Sequence, residues 1–88
     1  MTIADIIKDI LVTKLYVESS PDEIALDDHF HRDLGVDSLG FVELRYQVEE
    51  KFGISVSDDD FNPENFMSIG TLVAYIEKAQ TAAVPAVK

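Results

Sequence analysis

Residues 34–53, "LGVDSLGFVELRYQVEEKFG", decide the fold, because they hold the start signal, the apolar period and the stop signal of one helix. Asp37 and Ser38 are both residue types that cap helix N-termini. The apolar residues that follow recur at the i, i+3, i+7 and i+11 spacing of one buried helical face: Phe41, Leu44, Val48 and Phe52. Gly53 is a suitable C-terminal stop. The stretch therefore predicts a helix that begins at Asp37 or Ser38 and ends near Gly53.

A second apolar stripe on this helix, which we call the apolar strip, consists of Leu39, Val42 and Tyr46. Three acidic residues lie beside the strip: Glu43, Glu49 and Glu50. A four-turn helix in a small bundle can hardly bury both stripes. One interpretation is an exposed docking surface with an acidic rim, and the other is a wide core face that Leu39 and Tyr46 merely flank. The sequence leaves both open.

Two further helices are predicted from the same periodicity. The first runs from about Thr2, as N-cap, to about Tyr16, and its inward face is formed by Ile3, Ile6, Ile7, Ile10 and Leu11. The last begins near Ser68, also as N-cap, and its inward face is formed by Ile69, Leu72, Val73 and Ile76.

The connections between these helices carry isolated apolar residues that we expect to reach the core. In the long first loop these residues are Ile24, Leu26, Phe30 and Leu34. In the second connection, where "DDDFNPENF" predicts a short helical turn or structured loop, they are Ile54, Val56, Phe61 and Phe66. The predicted fold is all-α: a small four-helix bundle of three main helices and a short third helix, with residues 1–80 as one domain and 81–88 as a disordered tail.

Composition limits the function. Seventeen acidic residues against seven basic ones give a net charge of −10, which repels nucleic acids and anionic membranes. The absence of cysteine excludes disulfides and thiolate metal sites. The sequence has neither an apolar run of about 18 residues nor a secretion signal, so we expect a cytoplasmic protein without membrane contact. We also expect a monomer.

Candidate chemical groups are few, and each has a structural explanation. His29 and His31 lack the further residues that would complete a metal ligand set, and we interpret both as loop residues. The acidic run 58–60 lacks the glycine and terminal glutamate of a calcium loop. Ser38 has no histidine or lysine nearby in sequence to act as a base, so no catalytic residue is predicted. The two preceding observations mean that no metal site is predicted either.

Ser38 is nevertheless placed where an anion is favoured, because the first turn of a helix offers unpaired N–H groups and the positive end of the helix dipole. The alternative is an ordinary N-cap at Asp37 or Ser38. Physical reasoning alone favours the ordinary cap.

The motif "LGVDSLGFVELR" resembles the signature of acyl and peptidyl carrier proteins, in which the serine of an L-G-x-D-S-L core receives 4'-phosphopantetheine from coenzyme A. The resemblance extends over residues 2–79 in element order, in the ending "EEKFG" and in "SIGTLVAYIEK". "DSLGFVELR" is most similar to polyketide-type carriers. Gly40 is a mild departure from this pattern. Glycine inside a helix costs about 1 kcal/mol relative to alanine, so we expect Gly40 to loosen the first turn or to admit a partner.

The resemblance implies that Ser38, between Asp37 and Leu39, carries the arm, and that Val42, Glu43, Tyr46 and Glu49 contact partners. It also implies that a tethered chain can enter the interior lined by Phe41, Leu44, Val48, Ile69, Leu72 and Ile76. The implied partners act in trans: a phosphopantetheinyl transferase, an acyltransferase or adenylating loading enzyme, and ketosynthase or condensation enzymes.

The implied function is that of a freestanding acyl carrier protein of secondary metabolism, which holds acyl, polyketide or aminoacyl groups as thioesters. One alternative is a peptidyl or aminoacyl carrier of a nonribosomal peptide pathway. Another is an unmodified acidic helical interaction module, and a small hydrolase is a third.

Overall fold

Three α-helices surround one apolar core in the computed structural model, which describes residues 2–83. Helix α1 spans Ile3–Thr13, α2 spans Ser38–Phe52 and α3 spans Ile69–Ala83. Helix α1 contacts both α2 and α3. The loop between α1 and α2 contains a single short 3₁₀ helix, Pro21–Glu23. The predicted all-α class is confirmed.

Helix α1 begins at the predicted cap. The Thr2 hydroxyl accepts from the Asp5 N–H at 3.1 Å, and the Asp5 carboxylate accepts from the Thr2 N–H at 3.2 Å. The bond from the Thr2 N–H favours the ionised carboxylate and is the largest cause that lowers the pKa of Asp5 below its ordinary value.

The end of α1 differs from the prediction, because the helix stops at Thr13 rather than near Tyr16. The Val17 N–H turns back to donate to the Leu11 carbonyl at 2.9 Å. Tyr16 takes a left-handed conformation with φ 59° to allow this turn. Such a turn usually has glycine at this position, since a side chain makes it unfavourable.

The core draws on all three helices and on both long connections. Ile24 and Phe30 of the first loop are buried, and Leu34 is half-buried, as predicted. Leu26 is 53% exposed, so the prediction for it is wrong. Its carbonyl oxygen makes the attachment instead, by accepting from the Gly70 N–H at 2.8 Å.

The second connection holds turns where a short third helix was predicted. The Asn62 side chain donates to the Asp59 carbonyl and accepts from the Asn65 N–H, so side chains make hydrogen bonds that a helix would make with its own backbone. Pro63 has no N–H to donate. Val56 and Phe66 of this connection still reach the core, as predicted.

Helix α3 starts at the predicted cap, where Ser68 and Thr71 each accept from the other's backbone N–H. It continues to Ala83, beyond the predicted domain boundary at residue 80, and the rest of the predicted tail lies outside the described residues. Within residues 2–83 no helix is long and apolar enough to cross a membrane.

Candidate functional site at the start of α2

Asp37, not Ser38, caps α2. Its backbone is extended, and its Oδ1 accepts from the Gly40 N–H at 2.8 Å. The Asp37 carbonyl accepts the first helical hydrogen bond, from Phe41, at 2.8 Å. The cap therefore satisfies the third N–H of the helix and leaves the serine unused.

Ser38 is exposed and occupies the first helical position. Within residues 2–83, no group makes a hydrogen bond with its hydroxyl oxygen. The N–H groups of Ser38 and Leu39 also have no partner there and mark the positive end of α2. This end of the helix favours an anionic group, and the described residues place no hydrogen-bonded base on the Ser38 hydroxyl.

A side chain at Gly40 would crowd its own chain. A Cβ at this position would lie 3.0 Å from Cγ1 of Val36, 3.3 Å from Oδ1 of Asp37 and 3.7 Å from Cδ2 of Leu15. The first turn of α2 therefore packs closely on the preceding loop. The crowding atoms belong to the domain itself, so close packing is one reason for glycine at this position.

The loop before the cap is fixed by its two histidines. The Asp33 carboxylate accepts from the His29 N–H at 2.8 Å, which lowers the pKa of Asp33. His29 Nδ1 accepts from the N–H groups of His31 and Arg32. His31 Nδ1 lies 2.9 Å from the Val36 carbonyl and donates to it, because a carbonyl can only accept. Both rings thus have hydrogen-bond partners within this loop.

The apolar strip is exposed. Leu39 is 81% exposed, Val42 58% and Tyr46 54%, while Leu44 and Val48 on the opposite face are buried. This resolves the alternative that the sequence left open in favour of an exposed surface. Three large apolar side chains on one helical face are the pattern of a docking surface rather than of isolated exposed residues.

The acidic rim divides into two kinds of residue. The half-buried Glu43 accepts from Gln47 on the helix surface at 2.7 Å, and Glu50 is exposed. Glu49, predicted to contact partners, directs Oε2 at the Val56 N–H at 2.8 Å and so binds the connection after α2. Sequence spacing places Glu49 beside the strip, but it does not show the path of that connection.

Arg45, which sequence reasoning missed, completes this attachment, and we call Arg45 and Glu49 the α2 clamp. The Arg45 guanidinium donates to the Val56 carbonyl and, at 3.0 Å, to Asp58 Oδ1. The Cζ of Arg45 lies 5.1 Å from the centroid of the Phe61 ring. Arginine can make these contacts together because its donors are arranged in a planar fork. One available signal was its charge, because Arg45 and Lys51 are the only basic residues between Asp37 and Asp60.

An apolar cleft of about 330 Å³ opens beside Phe41, one turn after Ser38. Its lining also includes Phe61, Phe66 and Met67, with His29 and His31 at its edge. The predicted interior is otherwise closely packed, since its other members are fully buried: Leu44, Val48, Ile69, Leu72 and Ile76. Phe41 therefore lines a surface cleft, not an enclosed cavity.

The protein family described as "Phosphopantetheine attachment site" matches residues 5–76. The acyl carrier protein of Chlamydia trachomatis serovar D is 38% identical over 80 residues, which cover 91% of this chain and 99% of the relative. The acyl carrier proteins of Sulfurovum sp. and Wolinella succinogenes are each 42% identical over 77 residues, covering 88% of this chain and 97% and 96% of the relatives. The chain therefore belongs to the phosphopantetheine-binding acyl carrier proteins, non-catalytic carriers whose prosthetic group is 4'-phosphopantetheine and which interact with phosphopantetheinyl transferases and acyl-handling enzymes.

Proposed function

We propose that Ser38 is the attachment point of the prosthetic group and that the chain presents thioester-bound acyl groups to enzymes acting in trans. The capping by Asp37 carries this proposal, because it leaves the Ser38 hydroxyl exposed and without a partner in residues 2–83. A phosphodiester on this oxygen would face the unpaired N–H groups of the first turn. The helix dipole favours an anion there by about 0.3–1 kcal/mol.

The transfer to Ser38 depends on an enzyme, since no base of residues 2–83 is hydrogen-bonded to the hydroxyl. Ser38 Oγ forms a bond to the phosphorus that carries pantetheine in coenzyme A. The bond to adenosine 3',5'-bisphosphate breaks, and a base of the transferase takes the hydroxyl proton. When attached, the group supplies a thiol that carries the acyl group as a thioester.

Partner docking is assigned to the apolar strip, with the half-buried Glu43 and the exposed Glu50 as the acidic rim beside it. Three exposed apolar side chains supply contact area, and the net charge of −10 attracts enzymes with basic surfaces. Such docking is fast, weak and sensitive to salt, as successive exchange between partners requires. Asp37 and Leu39, on either side of Ser38, lie at the edge nearest the arm.

The apolar cleft supports short, uncharged cargo. Its volume of about 330 Å³ lies at the small end of ligand clefts, which span roughly 300–1,000 Å³. An aminoacyl group would bring an ammonium into apolar surroundings and lose hydration. We therefore favour acyl or polyketide intermediates over aminoacyl ones. Together with the polyketide-type motif, this cleft supports a role in secondary metabolism beside acyltransferase and ketosynthase partners.

Loading by a transferase tests the attachment point. The purified chain, incubated with coenzyme A, Mg²⁺ and a promiscuous phosphopantetheinyl transferase, is expected to gain the mass of one phosphopantetheine. Ser38→Ala should gain none and stay folded, because the Ser38 hydroxyl makes no hydrogen bond within residues 2–83. Intact mass spectrometry reads the result.

Ser55→Ala is the matched control, since Ser55 is an exposed serine in the connection after α2. A folded wild type that remains unmodified, or loading that persists in Ser38→Ala, would contradict the proposal.

Intact mass spectrometry of protein purified from its native host identifies the cargo. A short acyl increment is expected there, and a long-chain or aminoacyl increment would contradict the cargo assignment.

A further inference from the structure

A second cleft lies at the start of α2, and we call it the polar cleft. It has a volume of about 580 Å³ and lies between residues 15–19, after α1, and residues 32–37, before α2. It extends to Asp37 and Gly40, which flank Ser38 and Leu39 in the chain. It is therefore within reach of a flexible group attached at Ser38.

Tyr16 is the residue in this cleft that the fold does not explain. Its backbone is left-handed at φ 59°, and its side chain is 81% exposed. Asparagine or glycine would make the same turn with less strain. The chain thus holds an aromatic ring at the edge of the cleft with little of it buried against the domain.

The remaining lining of the cleft suits a ligand that alternates polar and apolar groups. Within residues 2–83, the backbone N–H groups of Glu18, Ser19 and Asp37 donate no hydrogen bond to the chain. Half-buried apolar side chains lie among them: Leu15, Val17 and Leu34. Amide donors can serve the carbonyl groups of a ligand, and the apolar side chains can cover its hydrocarbon parts.

Charge narrows the kind of ligand. The acidic side chains in the lining are those of Glu18, Asp33 and Asp37, and Arg32 brings the cationic one. Arg32 itself lies 3.6 Å from Asp33, which offsets its charge. A free anion such as a nucleotide is therefore disfavoured, whereas a neutral chain of amides is not.

We propose that the polar cleft is the resting site of the neutral part of the pantetheine arm. This inference rests on the attachment of the arm at Ser38. The arm has two amides, a hydroxyl and a geminal dimethyl group. The amide carbonyls meet the unpaired N–H groups, and the dimethyl group meets the ring of Tyr16.

Nuclear magnetic resonance of the loaded chain tests the site, once mass spectrometry has shown that loading is complete. Nuclear Overhauser effects are expected between the geminal methyl protons of the arm and the ring protons of Tyr16. The amide signals of Glu18, Ser19 and Asp37 are expected to shift between the unloaded and loaded chains. The methyl groups of the arm should move more slowly in the loaded chain than in free pantetheine, and their nuclear relaxation measures this difference.

Two variants of Tyr16 separate the ring from the backbone. Tyr16→Phe keeps the ring and should keep the contacts. Tyr16→Asn suits the left-handed backbone but removes the ring, so the chain should fold and the arm methyl groups should relax more nearly as in free pantetheine. Leu26→Asn is the control, because Leu26 is an exposed apolar residue outside the polar cleft and should leave the arm unchanged.

A chain that gains the mass but shows no contact to Tyr16, or contacts only to Phe61 and Met67 of the apolar cleft, overturns the resting site alone. The same holds if Tyr16→Asn leaves the amide shifts and the arm relaxation unchanged. A chain that gains no mass overturns the attachment at Ser38 and the resting site with it.

Discussion

Gly40 illustrates how much one missing side chain matters at the scale of single residues. Alanine would favour the helix by about 1 kcal/mol relative to glycine. The same methyl group would lie 3.0 Å from Val36 Cγ1 and 3.3 Å from the carboxylate oxygen that caps α2. Val36 is buried and β-branched, so it has little freedom to move away. The glycine therefore maintains close packing under the serine.

We predict that Gly40→Ala does not stabilise the chain, because the contact with Val36 offsets the gain in helix propensity. In a Val36→Ala background, where the closest contacting atom is gone, the same substitution should be more favourable by about 0.5–1 kcal/mol. Denaturant unfolding of the wild type, both single variants and the double variant measures this coupling. Effects that add to within about 0.3 kcal/mol would contradict it.

At the scale of elements, α2 has two sides with different tasks. One side carries the exposed apolar strip. The other side, which borders the strip, carries the α2 clamp, and the clamp holds the connection that follows α2. Arg45 and Glu49 bind the carbonyl and the N–H of the same residue, Val56, from positions one turn apart on the helix. The connection held in this way carries Phe61 and Phe66, which form a wall of the apolar cleft.

We predict that Glu49 and Glu43 contribute unequally to the free energy of unfolding. Glu49→Ala should lower the free energy of unfolding by about 1–2 kcal/mol, because it leaves the Val56 N–H without its charged acceptor. Glu43→Ala should lower it by less than about 0.5 kcal/mol, since it removes one surface pair with Gln47. Denaturant unfolding compares the two variants.

Glu49→Gln should recover part of the lost stability, because the amide oxygen can still accept the hydrogen bond. Equal losses in Glu49→Ala and Glu43→Ala would contradict the clamp. In a binding assay with a partner enzyme, the order of the two variants should reverse, so that Glu43→Ala weakens docking more than Glu49→Ala.

At the scale of the whole molecule, the sequence predicts those features that depend on residues close together in the chain. The starts of α1 and α3 follow from Thr2 and Ser68, because a capping residue bonds within its own first turn. The end of α1 could not be predicted, because no glycine marks the turn at Tyr16. The exposure of the strip also could not be predicted, since two apolar faces of one helix differ only in what the neighbouring helices cover. The clamp was missed because it joins residues through the path of a loop.

The second connection is also held near its middle, where the Tyr75 hydroxyl donates to Asp60 Oδ2 at 3.0 Å. Burial, and then this hydrogen bond to a carboxylate, raises the pKa of Tyr75 from 10.0 to about 12. The folded state thus holds the phenol proton more tightly than the unfolded chain does. Stability from this group is complete below pH 10.0 and is lost as the pH rises through the raised pKa of about 12.

We predict that the wild type becomes less stable between pH 10.0 and about 12 and that Tyr75→Phe loses less stability over the same interval. Asp60→Asn should reduce the loss without removing it, because burial is the larger cause of the raised pKa. Denaturant unfolding at several pH values gives the three slopes. Parallel slopes for the wild type and Tyr75→Phe would contradict the assignment to Tyr75.

The backbone bonds between the first loop and the start of α3 have a consequence for folding kinetics. The Phe30 N–H donates to the Met67 carbonyl, and the Gly70 N–H donates to the Leu26 carbonyl, so each pair closes a long segment of chain that contains α2. Closing such a segment costs chain entropy before any contact compensates for it. These bonds raise the contact order of a helical chain and should make it fold more slowly than helices joined by short turns. We therefore expect the backbone leading to Ser38 to reach its final path only after α3 has docked.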